Sequence, residues 1–143
     1  MLLIMYLKEI INNILEIAKN KPNIRTAEQG NVYDLNSMPD AEYSAFWLTQ
    51  GQHRLDEQEV TYNFTMFYID RLTDDFSNKT DIQSDGIVEL TNIINTIVNV
   101  MDCEVDYPLN FTVFNQRFAE ECAGVFVNVN ITVDNNMGNC YWE

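Results

Sequence analysis

One stretch of the sequence constrains the fold more than any other: from Val125 to Val133, aliphatic residues occupy every second position. The positions between them hold Phe126, Asn128, Asn130 and Thr132. Successive side chains of a β-strand point to opposite faces of the sheet, so this alternation predicts a strand with one apolar face and one mixed face. We place the strand at residues 122–133. A chain that carries it needs a sheet with at least one buried side.

Residues 59–72 show the second strong strand pattern. One predicted face holds Val60, Tyr62, Phe64, Met66 and Tyr68, and the other is mixed. This pattern is typical of a strand that is partly covered on both sides. Shorter strands are predicted at about 24–35, 43–49 and 110–118. Within the first of these, Gly30 and Asn31 are predicted to form a tight turn with positive φ.

Two segments have helical spacing. Apolar residues recur at intervals of three and four over residues 3–19, and Asn20, Lys21 and Pro22 end the pattern. A second apolar stripe predicts a helix over residues 81–101. Gly86 lies in its first turns, which indicates a close approach of the helix backbone to its neighbour. Residues 134–143 form a polar C-terminal tail.

The predicted element order is helix, several strands, helix and two strands. Short turns between the strands favour an α+β fold with a single antiparallel or mixed β-sheet packed by two α-helices. The chain has 143 residues, which suits one domain over residues 1–143 with a core of its own.

The net charge of −14 argues against two classes of function. Nucleic-acid binding and docking on anionic membranes both need clustered Lys and Arg, and the chain has 8 such residues against 22 Asp and Glu. The N-terminal apolar run is interrupted by polar residues before it reaches the length of a signal peptide. Three cysteines without a C-x-x-C spacing favour reduced, cytoplasmic thiols.

No catalytic or cofactor motif stands out, so we expect neither an enzyme nor a bound cofactor or metal. The glycines form no phosphate-binding loop, and His53 is the sole histidine. A nucleophile pair of His53 with Cys103 or Cys122 is a weak alternative to a surface histidine and a buried cysteine. The acidic loop from Asp74 to Asp81 is either a cation site or a solvated loop in which Asn78 or Asp81 caps the second helix.

Two arginines stand out in this acidic chain. Arg71 closes the long strand, and Arg117 lies between Gln116 and Phe118. Arginine is favoured at desolvated contacts because its planar group binds carboxylates through two parallel hydrogen bonds. A structural salt bridge or a subunit contact is therefore the preferred interpretation of both residues.

Two sequence strings carry a family resemblance. Residues 68–78 read YIDRLTDDFSN, and residues 114–127 read FNQRFAEECAGVFV. Together with the strings around Gly86 and Asn92, they resemble small structural proteins of tailed bacteriophages and prophages of gut Bacteroidetes, including crAss-like phages. The order of elements is similar to the tail-terminator and neck-ring family. The resemblance extends over most of the chain.

This resemblance implies a virion protein that assembles in the bacterial host cytoplasm into a six- or twelve-fold ring in the neck or tail. It implies contacts with itself and with portal, adaptor or tail proteins, and a channel through which DNA passes without specific binding. Phe46 is one of the aromatic residues that lie outside the regular pattern of predicted core positions and that suit such contacts. The expected subunit-contact residues are Arg71, Asp74, Asp75, Phe76, Arg117, Trp47 and Trp142. The alternative is an acidic DNA mimic that inhibits a host nuclease or restriction enzyme.

Overall fold

The computed structural model describes residues 6–31, 42–73, 75–117 and 121–134. The two helices are α1 (Leu7–Lys19) and α2 (Lys79–Val100). The strands are β1 (Thr26–Gln29), β2 (Ala45–Gln50), β3 (Arg54–Leu55), β4 (Glu59–Arg71), β5 (Glu104–Val105), β6 (Phe111–Arg117) and β7 (Glu121–Asp134).

All seven of these strands belong to one sheet. Its order is β1-β2-β4-β7-β5, with β3 paired to β4 and β6 paired to β7. The β1–β2 pair is parallel, and the other pairs are antiparallel. The predicted α+β fold, with two helices packed on one mixed sheet, is therefore confirmed.

The centre of the sheet is the long antiparallel pair of β4 and β7. Its register runs from Glu59 opposite Asp134 to Arg71 opposite Cys122. The apolar faces predicted for the two strands coincide in this register and are buried against both helices. The core on this helix face includes Ile10 and Ile14 from α1, Leu90, Ile93 and Ile97 from α2, and Phe46, Leu48, Phe64, Met66, Val127, Val129 and Ile131 from the sheet.

The opposite face of the sheet, here called the open face, carries a smaller cluster. Trp47, Ile69 and Cys122 are buried there, with Tyr43, Phe67 and Phe114 packed around them. Farther along the same face, polar side chains replace the aromatic ones. Asn63 Nδ2 donates to Asn128 Oδ1 and Asn130 Oδ1, each at 2.8 Å. The mixed half of the β7 alternation therefore forms a face that is aromatic at one end and amide-rich at the other.

Several predicted boundaries differ from the structure. Helix α2 begins at Lys79 and ends at Val100, and β2 runs from Ala45 to Gln50. Of the segment predicted at 24–35, the structure gives only β1 up to Gln29, and residues 32–35 lie outside the described residues. The turn prediction at Gly30 is wrong, because no described glycine has a positive φ. Residues 3–5 and the tail from 135 onward also lie outside the described residues.

Gly86 confirms the predicted close approach. A Cβ atom at this position would lie 2.5 Å from Val125 Cγ1 and 2.8 Å from Tyr68 Cδ1. Both distances are shorter than van der Waals contact, so only a glycine lets the first turns of α2 lie this close to β4 and β7.

Candidate subunit interface

The loop from Arg71 to Asn78, here called the 71–78 loop, is held by its own side chains. Asp75 Oδ1 accepts from Thr73 Oγ1 at 2.8 Å and from the Ser77 backbone N–H at 3.1 Å. Asn78 Oδ1 accepts from the Thr73 N–H at 2.9 Å, and its Nδ2 donates to the Arg71 carbonyl at 3.2 Å. These bonds tie the described residues of the loop, 71–73 and 75–78, to one another.

Asp75 and Asn78, which the sequence assigned to helix capping or to cation binding, therefore make their hydrogen bonds within the loop. Asn78 stands at the N-cap position of α2, but it makes no side-chain cap bond because its amide is used within the loop. The hydrogen bonds from Ser77 and Thr73 lower the pKa of Asp75. In the described parts of the chain, no three His, Cys, Asp or Glu side chains are grouped to hold a metal ion.

Phe76 is the exposed residue that this loop presents. Its side chain is 50% exposed, and its backbone has a φ of 58°, which is uncommon for a residue other than glycine. The neighbouring Arg71 places its guanidinium carbon 5.3 Å from the centroid of the Tyr43 ring. Exposed aromatic rings and arginines are both enriched among the residues that anchor protein interfaces.

The other expected contact residues are placed differently. Trp47 is 3% exposed and lies in the cluster on the open face, so its prediction as a surface contact is wrong for the subunit described here. Phe46 is fully buried in the core on the helix face. Arg117 is the last residue of β6, opposite Glu121 of β7. Asp74 and Trp142 lie outside the described residues.

Trp47 is buried by its neighbours on the open face, where Tyr43, Phe67 and Phe114 pack against the cluster. Strand β2 has β1 on one side and β4 on the other, and its residues Ala45 to Thr49 are all buried. The indole Nε1 of Trp47 has no hydrogen-bond partner among the described residues. An unpartnered donor has a desolvation cost, which the burial of the large ring offsets.

A polar cleft of about 550 Å³ opens where α2 meets the start of β1 and the end of β4. Asn23 Nδ2 donates to Glu89 Oε1 at 2.8 Å, and the Ser44 hydroxyl donates to the Asn23 carbonyl. Burial raises the pKa of Asp70, which also lines the cleft, against the lowering effects of the Arg71 N–H and its guanidinium group. These polar groups bind one another, so the cleft ties three chain segments together.

Both ring nitrogens of His53 also have hydrogen-bond partners. Its Nδ1 accepts from the Asn63 backbone N–H at 3.1 Å, and its Nε2 lies 3.0 Å from Gln50 Oε1. This pattern suits the neutral ring with its proton on Nε2. Cys122 lies opposite Arg71 at the far end of β4, and the Cys103 Sγ is directed at the Ile97 carbonyl. The structure therefore brings neither cysteine to His53 as a nucleophile pair.

We expect His53 to make the folded state less stable at mildly acidic pH. Burial lowers its pKa below the ordinary 6.5, so the unfolded chain binds more protons as the pH falls through that value. Its contribution is complete above pH 6.5 and decreases below it. Urea unfolding at pH 7.5 and 5.5 measures this change, and His53→Asn is the control because its amide accepts the same N–H without titrating. An equal pH dependence in both proteins would contradict the role of His53.

A third region was not anticipated from the sequence: an apolar groove of about 420 Å³ between α2 and the segment before β6. Its lining residues are Thr91, Ile94, Asn95, Tyr107, Pro108, Leu109 and Phe111. Gln83 Nε2 donates to the Phe114 carbonyl at 3.4 Å, while Asn95, later in α2, lines the groove with Tyr107, which is earlier in the chain than Phe114. Helix α2 and the segment 107–114 therefore run in opposite directions. Val113 lies two residues after the groove-lining Phe111, on the same face of β6, and is 51% exposed.

Within the described residues, neither helix is long and apolar enough to cross a membrane. No protein-family model and no curated protein matches this chain.

Proposed function

We propose that this chain is a structural protein of a tailed-phage virion. It forms a ring of six or twelve copies in the neck or tail, as a head–tail connector or tail terminator, and DNA passes through the ring. The observation that carries the proposal is the 71–78 loop, which is held by its own side-chain hydrogen bonds and presents a half-exposed phenylalanine within a string that resembles this family.

A closed ring needs two unlike surfaces that fit each other, because each subunit contacts its two neighbours differently. The 71–78 loop supplies a projecting aromatic anchor. The open face supplies a receiving surface, since Phe67, Phe114 and Phe126 lie there with ring centroids 5.5 to 6.2 Å apart and remain partly exposed. Aromatic side chains concentrate binding energy at subunit contacts.

The charge of the chain supports the same proposal. A net charge of −14 gives a wall that repels phosphates, so a duplex can move past it without binding. The neighbours in the virion are portal, adaptor or tail proteins, and assembly takes place in the cytoplasm of the bacterial host.

We expect the purified protein, alone or with its virion neighbours, to form a closed ring, and Phe76→Ala to weaken that ring. Loss of a half-exposed aromatic anchor is expected to raise the concentration needed for assembly about tenfold. Native mass spectrometry counts the copies of this 16.6 kDa chain, and negative-stain images show whether the assembly is closed.

The matched control is Leu55→Ala, because Leu55 is 70% exposed on β3 and lies outside both proposed contact surfaces. This variant should assemble like the original chain. A compact monomer or dimer that blocks a nuclease would instead support the DNA-mimic alternative and contradict the ring.

A further inference from the structure

The groove between α2 and β6 belongs to a larger surface without charged residues, here called the uncharged surface. The chain has no Asp, Glu, Lys, Arg or His from Leu90 to Met101, and none from Tyr107 to Gln116. The fold places these two segments side by side along the groove.

The surface is also apolar and exposed. Tyr107 is 64% exposed and Val113 is 51% exposed, although Val113 lies on the helix face of the sheet opposite Val125. Ile87 and Val98 are exposed on α2. Ile87 lies one turn from Gln83, which contacts β6, and one turn from Thr91, which lines the groove. Contiguous exposed apolar residues on a folded chain mark a contact surface.

Strand β6 supplies the second feature of this surface. It pairs with β7 on one side, and none of the other described strands pairs with it on the outer side. Monomeric proteins protect such an edge with charged side chains, yet β6 carries none between Phe111 and Gln116. In the register with β7 the backbone groups of Val113 and Asn115 face outward, so the outer side of β6 offers them to another strand.

We propose that a second copy of this chain docks on the uncharged surface across a two-fold axis, with the two β6 strands antiparallel. A two-fold contact places residues near the axis against their own copies, so any charge there would meet a like charge. A basic partner would be attracted to the acidic remainder of the chain instead. For two molecules that each carry −14, a contact through the uncharged surface avoids placing like charges against each other.

This contact is independent of the ring contact made by Phe76. Where both contacts form, the contact across the two-fold axis joins subunits of two rings that stack back to back. Where the two-fold forms alone, the chain is a dimer. An apolar peptide or another virion protein could occupy the same groove, and the experiment below separates these occupants from a second copy.

The test places opposite charges at one position of the uncharged surface. Val113→Glu and Val113→Lys should each weaken the two-fold association about tenfold or more, because each side chain would meet its like near the axis. An equimolar mixture of the two variants should recover the association, since Glu then faces Lys. Sedimentation equilibrium over a range of concentrations measures all three samples, and circular dichroism checks that each variant is folded.

Val88→Glu is the matched control, because Val88 is 54% exposed on the same helix but lines the polar cleft instead. It should associate like the original chain. An unchanged association of both Val113 variants, or no recovery on mixing them, would overturn the two-fold. A chain that stays monomeric through the concentration series would also overturn it. A ring that depends on Phe76 but not on Val113 would leave the proposed function standing while refuting this contact.

Discussion

Gly124→Ala is expected to destabilise the protein by about 3 kcal/mol or more, at the upper end of what overpacking costs. A Cβ atom at this position would lie 1.9 Å from the carbonyl oxygen of Tyr68 and 2.9 Å from Phe114 Cζ. The carbonyl belongs to the central strand β4, which is paired on both sides. Relief of the clash would therefore separate β4 from β7. The free energy of unfolding in urea measures the cost.

Gly86→Ala is the matched comparison for Gly124→Ala. Its Cβ would contact side-chain atoms, Val125 Cγ1 and Tyr68 Cδ1, and side chains can move more readily than a paired backbone. The substitution also gains about 1 kcal/mol of helix propensity, which offsets part of the clash. We expect Gly86→Ala to be clearly the milder of the two. Equal stabilities of the two variants would show that β4 and β7 can separate locally at little cost.

The fold was predictable because each of its two central strands has a clear alternation of apolar residues in its own sequence. The alternation around Val129 and that around Phe64 each define a buried face, and two such strands pair most simply with those faces on the same side. The parallel pairing of β1 with β2 was not predictable, since it depends on which distant segment fills the sheet edge. Strands of two residues, such as β3 and β5, are too short to show a period.

The placement of Trp47 shows a second limit of sequence reasoning. Its strand contains the continuous apolar run from Ala45 to Leu48, which is typical of a strand buried on both faces. Trp47 was instead counted among the aromatic residues outside the core pattern and was expected at a subunit contact. The continuous run was the available signal for an interior position in the sheet.

The uncharged surface could have been found only in part from the sequence. The two stretches without charge are visible in the printed chain, but a helix and an edge strand need the fold to bring them together. The 71–78 loop differs because its hydrogen bonds are local, joining residues at most seven positions apart. The sequence left open whether these polar residues hold a cation or cap α2, and in the structure Asp75 and Asn78 bond within the loop instead.

Two phenylalanines should separate folding from assembly most sharply. Phe64→Ala is expected to cost about 3–5 kcal/mol, because its ring is fully buried on β4 between the helix-face residues and its removal leaves a cavity. That is a large share of the 5–15 kcal/mol that stabilises a typical domain, so the variant should be partly unfolded at 37 °C. Urea and thermal unfolding measure the loss.

The same substitution at Phe76 should leave the free energy of unfolding within about 1 kcal/mol of the original, because half of that ring is already in water and the loop is held by Asp75 and Asn78. Its effect should appear in assembly instead. If Phe76→Ala destabilised the subunit as much as Phe64→Ala, the Phe76 side chain would have to be a buried part of the fold. Phe76 would then have no role as a contact residue, and the loss of rings in that variant would report unfolding.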